Sequence, residues 1–257
     1  MKDAKIVVVT GASSGFGKAI ARKFAAEGWD VIITGRRTER LNTLAATLTE
    51  HYKVRVLPLS FDVSDREKVF TSLGDLPDDW QSIDVLVNNA GLALGRDNFD
   101  EALIDDWEVM IDTNIKGVLY VSRAILPYFE KRGQGHIINI GSTAAKDVYP
   151  MGNVYCATKS AVEAISKAQR IDLLPKKIKV TAIHPGAAET EFSLVRLKGN
   201  QQESDKVYAG YQALEAEDIA DITYYTASLP GHVCINDLVV TATAQANGIF
   251  TYKSDND

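Results

Sequence analysis

Cysteine is nearly absent from the 257-residue sequence: Cys156 and Cys234 are too few for a disulfide framework or a cysteine-rich zinc site. Histidine is almost as scarce. His51, His136, His184 and His232 lie far apart, without the spacing of a metal site. The seven prolines are scattered, and no Pro/Gly-rich stretch marks a linker. No apolar run approaches the length of a membrane span, and the first, Ile6 to Val9, begins too early to leave room for a signal peptide. Positive charge is in deficit, with 28 basic against 34 acidic residues and a net charge of −6, which counts against a nucleic-acid partner. These absences predict a soluble, cytoplasmic protein with a small-molecule partner, no nucleic acid and no membrane.

What is present supports a large core. Hydrophobic residues make up 46% and charged residues 24% of the chain, ordinary globular shares that exclude global disorder. A folded chain of this size removes about 73% of its surface from water. Short apolar runs recur at Ile6–Val9, Val31–Thr34, Val54–Leu59, Ile83–Val87, His136–Ile140, Ile178–Ile183 and Leu238–Val240. Most are rich in Val and Ile without polar alternation, as strands buried on both faces should be. The segments between them keep a helical period; in Lys18–Glu27, for example, Ile20, Ala21, Phe24 and Ala25 share one stripe. This rhythm predicts an α/β fold: one doubly wound parallel sheet of about seven strands with helices on both faces, a single domain over residues 1–257. One segment, about 187–217, is long, polar and charged, and reads as a lid-like insertion.

The first strand runs into Thr10-Gly11-Ala12-Ser13-Ser14-Gly15-Phe16-Gly17 and then a helical pattern. Gly11 suits the tight turn, Gly15 lets backbone approach a diphosphate, and Gly17 lets the helix sit close to the strand. The helix N-terminus adds free N–H groups for the anion. In this context the loop predicts a Rossmann fold and a dinucleotide, with Ser13, Ser14 and Phe16 in the cradle. Gly35-Arg36-Arg37 ends the second strand where an acid would hold a ribose 2′-hydroxyl, and two guanidinium groups suit a 2′-phosphate instead. NADP is therefore expected over NAD. Asp62 and Val63 end the third strand and suit the adenine edge, or plain turn chemistry. Asn89 and Gly91, in Asn88-Asn89-Ala90-Gly91, end the fourth, and Pro185-Gly186 forms a rigid turn after the sixth, suited to pass beside a nicotinamide.

Tyr155 and Lys159 stand four residues apart on a helical pattern and share one face. Alone, such a pair is commonplace. A free tyrosine titrates near pH 10 and is a poor acid or base at neutrality; a neighbouring ammonium would lower it. Ser142 ends the fifth strand and is expected to face the same cleft, and Asn114 is expected to kink its helix and hold a water against Lys159.

With TGASSGFG, NNAG, the Asn114 site, Ser142, YCATK and HPG in order over about residues 4 to 245, the chain resembles the short-chain dehydrogenase/reductase family. The resemblance implies hydride transfer, with Tyr155 as acid for carbonyl reduction or base for alcohol oxidation. It also implies that Lys159 binds the nicotinamide ribose and lowers the Tyr155 pKa, that Ser142 holds the substrate oxygen, and that Asn114 keeps a proton-relay water. GRRTERL, NNAGLALGRD, VMIDTN, HIINIGSTA and EFSLVRLKG are similar to the NADP-dependent 3-hydroxy acid dehydrogenases, which include serine and allo-threonine dehydrogenases. The implied substrate is a short 3-hydroxy acid of the serine, allo-threonine or 3-hydroxypropionate type, or its carbonyl. Alternatives are an NADPH-dependent reductase of sulfoacetaldehyde, a ketoacyl group or a larger ketone, and a non-catalytic NADP-binding sensor. The chain departs from that group at Ala187-Ala188-Glu189-Thr190, where members often carry another glycine; Thr190 still fits a carboxamide contact.

A carboxylate substrate wants a cation in the cleft. Arg196 and Lys198 of the insertion and Arg96 after the fourth strand are candidates, each also readable as a solvated surface charge. The stripe Ala157, Ala161, Ala164, Ile165 and Ala168 is broad and small-sided. The resemblance places it in a helix–helix contact of a homotetramer; simple packing on the sheet is the other reading.

Overall fold

The computed structural model describes residues 4–254; residues 1–3 and 255–257, the ends of the expected domain, lie outside the described residues. Strands β1 (Ile6–Val9), β2 (Asp30–Gly35), β3 (Val56–Ser60), β4 (Ile83–Asn88), β5 (Gly135–Ile140), β6 (Ile178–Pro185) and β7 (Asp237–Val240) form one sheet. All its pairings are parallel, in the order β3-β2-β1-β4-β5-β6-β7. The order reverses between β1 and β4, and the crevice beyond the carboxyl ends at such a reversal is where open α/β sheets collect ligands.

Each central strand sends alternate residues to opposite faces. Val7, Val9, Ile33, Val87 and Ile140 pack with α1 (Gly15–Ala26), α2 (Thr38–Tyr52) and α9 (Ala216–Ser228), through Ile20, Phe24, Leu44, Leu48 and Ala220. Ile6, Val8, Ile32, Leu86 and Ile137 pack on the other side with α3 (Arg66–Gly74) and α5 (Gly117–Arg132), through Val69, Leu73, Val121, Ile125 and Phe129. The expectation of strands buried on both faces fails at the margins. β3 is only half-buried and β7 alternates between half-buried and exposed, because each is an edge strand with one neighbour.

Between the sheet and the helices on the α5 side runs a buried polar ladder. Asn139 of β5 donates to Ser166 Oγ (2.8 Å) and Gln169 Oε1 (2.9 Å) on α6 (Asn153–Leu173). It accepts from Asn88 Nδ2 of β4 (2.9 Å), which also donates to Ser122 Oγ of α5 (2.9 Å). Buried amides so satisfied fix helix register against the sheet, because slipping one residue would leave them unpaired.

The polar segment expected as an insertion leaves the sheet after β6 and returns on itself. Glu189 N–H donates to Leu214 O (2.8 Å) and Leu214 N–H to Ala187 O (3.1 Å), closing a neck. Above the neck stand α7 (Glu191–Arg196) and α8 (Gln201–Tyr208), each started by a side-chain cap, Thr190 and Asn200. The excursion ends just short of the expected residue 217, where α9 begins.

The ladder makes a stability prediction. Asn139→Ala strands a buried donor of Asn88 and groups on α6, and should cost about 2–4 kcal/mol in denaturant unfolding. Ser166→Ala, which leaves Gln169 for Asn139, should cost about 1 kcal/mol. Equal losses would show that the ladder does not carry the register.

Candidate active site

A cleft of about 800 Å³ opens at the carboxyl ends of the strands. It is lined by Gly11, Ser13, Ser14, Gly15, Phe16, Arg36, Arg37, Asp62, Val63, Asn89, Gly91, Ser142, Tyr155, Lys159, Pro185, Gly186, Thr190 and Arg196. Two expected site residues, Gly17 and Asn114, sit behind this lining rather than in it.

The nucleotide end is built from the loop between β1 and α1. Gly11 has φ +67°, a left-handed value that a side chain disfavours, and a Cβ there would meet Ala90 Cα at 2.9 Å. At Gly17 a Cβ would lie 2.3 Å from Gly11 O and 2.5 Å from Asn89 Nδ2, so only glycine lets helix and strand approach this closely. Asn89 Nδ2 donates to Thr10 O (2.8 Å), which commits its side chain to shaping the loop. No side chain caps the start of α1, so the N–H groups of its first turn face the cleft side without an intrahelical partner. An uncapped helix start behind a glycine cradle fits a dinucleotide diphosphate.

At the far edge of this end, Arg37 donates to Ser13 Oγ (3.0 Å), Ser14 Oγ (2.5 Å) and Glu191 Oε2 (3.0 Å). Arg36 lies 3.5 Å from Asp62 Oδ2. The other oxygen of Asp62 accepts from Ser64 N–H (2.9 Å) and Oγ (2.8 Å), holding the turn after β3. Val63 Cγ2 would lie 2.7 Å from a Cβ on Gly117, so its side chain packs against the start of α5.

The reacting end centres on α6, which presents Tyr155 and Lys159 one turn apart, both buried. Lys159 Nζ donates to Ile140 O (3.0 Å) and lies 6.0 Å from the centre of the Tyr155 ring. Asn114 lies in a π-turn, Asp112–Lys116, between α4 (Ile104–Ile111) and α5. Such bulges re-aim side chains within a helix and recur at functional sites. The Asn114 amide accepts from Leu92 N–H (2.9 Å) and donates to Leu92 O (2.8 Å) and Thr158 Oγ1 (3.0 Å). It thus ties the loop after β4 to α6, and the helix widens to a π-turn where a kink was expected. Ser142 follows β5, its Oγ accepting from Ala144 N–H (3.1 Å) and standing close enough to Tyr155 to favour the phenolate.

Burial reverses one expectation. In a dry site the charged form of any group is disfavoured, and Tyr155 is pushed well above the usual phenol range by burial first and by Tyr149 second. Ser142 and Arg196 oppose this without overcoming it. Lys159 is pushed down to about 8 by burial, and its ammonium turns to the Ile140 carbonyl. The lowering of Tyr155 expected from a neighbouring ammonium is therefore outweighed by desolvation in the nucleotide-free protein.

Of the candidate cations, Arg196 reaches the cleft. Its guanidinium lies 5.4 Å from the centres of both the Tyr155 and Tyr149 rings. It donates to Gly95 O (3.3 Å), Tyr149 Oη (2.9 Å) and Met151 O (3.3 Å), which fixes the plane and leaves two of its five N–H donors. Arg96 lines the cleft as an exposed residue. Lys198 does not line it: its ammonium pairs with Asp106 at 2.8 Å, because the turn ending α7 points it toward α4.

Three cleft residues carried no sequence signal. Tyr149 packs beside Tyr155 and anchors Arg196; Glu191 holds Arg37; and Gln245 Oε1 accepts from Ala187 N–H (2.8 Å) across Gly186. His184 is a buried strand-end histidine, with Nδ1 3.2 Å from Ser142 O. Cys156 is a buried small residue. Among the described residues no cluster of metal ligands occurs.

A family model described as short chain dehydrogenase matches residues 5–200. The chain belongs to the short-chain dehydrogenase family. It is 48% identical to the NADP-dependent 3-hydroxy acid dehydrogenase YdfG of Salmonella typhi, over 97% of this chain and 100% of that protein. It is 45% identical to sulfoacetaldehyde reductase 2 of Chromohalobacter salexigens, over 97% of this chain and 99% of that protein. Among solved structures, the closed form of serine dehydrogenase complexed with NADP+ superposes with a TM-score of 0.89 at 45% identity, covering 94% of this chain and 96% of that one.

The buried lysine has a stability cost. Its folded-state pKa of about 8 lies below the 10.5 of an exposed lysine, so the unfolded chain binds the extra proton. The cost is fully present below pH 8 and fades as pH rises toward 10.5. Lys159→Met should therefore raise the unfolding free energy at pH 7 by roughly 2–3 kcal/mol while abolishing turnover. A destabilised Lys159→Met protein would contradict the assignment of this cost.

Proposed function

We propose that the chain is an NADP-dependent oxidoreductase that interconverts a short 3-hydroxy acid and its carbonyl. The observation that carries this reading is the placement of Arg196: a cation with two spare donors stacked over the ring of Tyr155. A substrate whose carbonyl or hydroxyl meets the Tyr155 phenol then has its carboxylate one or two carbons away, within reach of that guanidinium. A sulfonate presents an anionic pair of oxygens to a guanidinium fork as a carboxylate does, so a short sulfonated aldehyde is the second reading, favoured by the same residue.

The cofactor end supports the NADP half of the proposal. Gly11, Ser13, Ser14, Gly15 and Phe16 would hold the diphosphate at the uncapped start of α1, and Arg36 and Arg37 the 2′-phosphate. Asp62 and Val63 would border the adenine, and Asn89, Gly91, Pro185, Gly186 and Thr190 the nicotinamide half. The nicotinamide, when bound, supplies or takes up the hydride equivalent of the interconversion.

The chain itself moves the proton. Tyr155, held protonated at neutral pH by its burial, donates to the substrate oxygen during reduction. In oxidation the phenol first gives its proton up toward solvent, and the tyrosinate then takes the hydroxyl proton. Ser142 Oγ holds the same oxygen, and its proximity to the phenol favours the tyrosinate as it forms. Lys159 keeps a positive charge behind Tyr155 and offers its remaining donors to the nicotinamide ribose. Asn114 holds the loop after β4 against α6 and keeps the route from Lys159 to solvent.

We also infer a cytoplasmic homotetramer that binds no nucleic acid. Ala157, Ala164 and Ala168 are exposed and Ala161 and Ile165 half-buried, while Val162 and Ser166 face the sheet, so the small stripe is available for a helix–helix contact. Neither cysteine is paired, and no described helix is long and apolar enough to cross a membrane.

Two kinetic outcomes test the reading. Replacing Arg36 and Arg37 with glutamine should raise the KM for NADPH by about 100-fold or more and barely change that for NADH, since each of the two phosphate contacts is worth about 1.5–3 kcal/mol. Equal effects on both cofactors would remove the 2′-phosphate role. Arg196→Leu should cut kcat/KM on 3-hydroxy acids by about 100-fold and leave matched neutral alcohols within about threefold. Equal losses on the two substrate classes would remove the anion clamp.

A further inference from the structure

Helix α7 joins the two ends of the cleft. Its last residue, Arg196, lies over Tyr155; its first, Glu191, lies at the other end against the arginines that follow β2. The Glu191 carboxylate is gripped from two sides. Oε2 accepts from Arg37 Nη1 (3.0 Å), and Oε1 and Oε2 accept from Arg40 Nη1 (2.8 and 3.1 Å). Arg37 turns its other donors to Ser13 and Ser14, so Glu191 completes a ring of acceptors around one guanidinium. Burial pulls the Glu191 carboxyl up, and hydrogen bonds from Arg37 and Arg40 outweigh it, so the group is an anion at neutral pH.

A carboxylate and a phosphate present the same pair of oxygen acceptors to a guanidinium fork. Glu191 therefore occupies, from the α7 side, a donor that a nucleotide 2′-phosphate would take from the cleft side. We propose that Glu191 is an internal competitor of the 2′-phosphate and thereby a specificity-determining residue for the nucleotide. A 2′-phosphate carries more charge than one carboxylate and displaces Glu191 from Arg37; a free 2′-hydroxyl has nothing to exchange and leaves α7 tied. Arg40 keeps its own hold on Glu191, which gives the released carboxylate a place to remain.

The inference rests on the reading that Arg36 and Arg37 receive a 2′-phosphate, and the test separates the two. The full chain and its Glu191→Gln variant are titrated calorimetrically with 2′,5′-ADP and with 5′-ADP. Tighter binding of 2′,5′-ADP by the unaltered protein supports the arginine reading; equal affinities overturn that reading, and the inference with it. Arg37 and Glu191 are both more than one-third exposed, so solvent screens their contact and removing it should have a modest effect. Glu191→Gln should tighten 2′,5′-ADP by about two- to fivefold and leave 5′-ADP unchanged. An unchanged or weakened affinity for 2′,5′-ADP, or the same change with both ligands, overturns the inference and makes Glu191 a support for Arg37 instead.

Discussion

The site depends on keeping Lys159 and Tyr155 out of water. Both side chains are buried on α6, and the low dielectric around them raises the free energy of any charge they carry. That is why the tyrosine stays protonated and the lysine is brought within reach of neutral pH. One hydrogen bond, from Lys159 to the Ile140 carbonyl, offsets part of the cost and holds the ammonium beside the strand end. Its other donors point into the cleft, where a ribose would meet them. The register of α6 must then be exact to within a turn, and the buried ladder through Asn139, Ser166 and Gln169 supplies that constraint from the opposite end of the helix.

The second constraint is anionic. The chain carries a net charge of −6, yet its cleft has guanidinium groups at both ends, Arg36 and Arg37 at one and Arg196 at the other. Local cations of this kind let an acidic protein receive anionic ligands without a basic face. Their placement follows from topology. Arg36 and Arg37 follow β2, adjacent to β1 and its glycine loop, whereas Arg196 arrives from the excursion that leaves and returns at the neck of Ala188 and Leu214.

Much of this was legible in the sequence because it is local. Seven apolar runs, most without alternation, marked the strands to within two residues, and they fell short only at β3 and β7, where an edge position changes burial and not sequence. The glycine loop and the Tyr155–Lys159 pair carry their spacing in the chain, so their proximity to each other followed once a doubly wound sheet was expected. Contacts between distant segments left no such mark. Glu191 meets Arg37 across 154 positions and Arg196 meets Tyr149 across 47, and neither pair has a spacing that could be read. Lys198 looked equivalent to Arg196 until the turn after α7 directed it to Asp106. The direction of the Tyr155 shift was also beyond the sequence, because it follows from burial depth rather than from which residue stands four positions away.

The central claim is that the fold holds a buried, partly destabilised ammonium behind the reacting phenol. It is tested most directly by titrating Lys159 itself, through 13C NMR at its Cε in the nucleotide-free protein, with the signal assigned by its loss in Lys159→Met. The account predicts a midpoint near 8. A midpoint at the ordinary value of 10.5 would show that water reaches the ammonium and would contradict it.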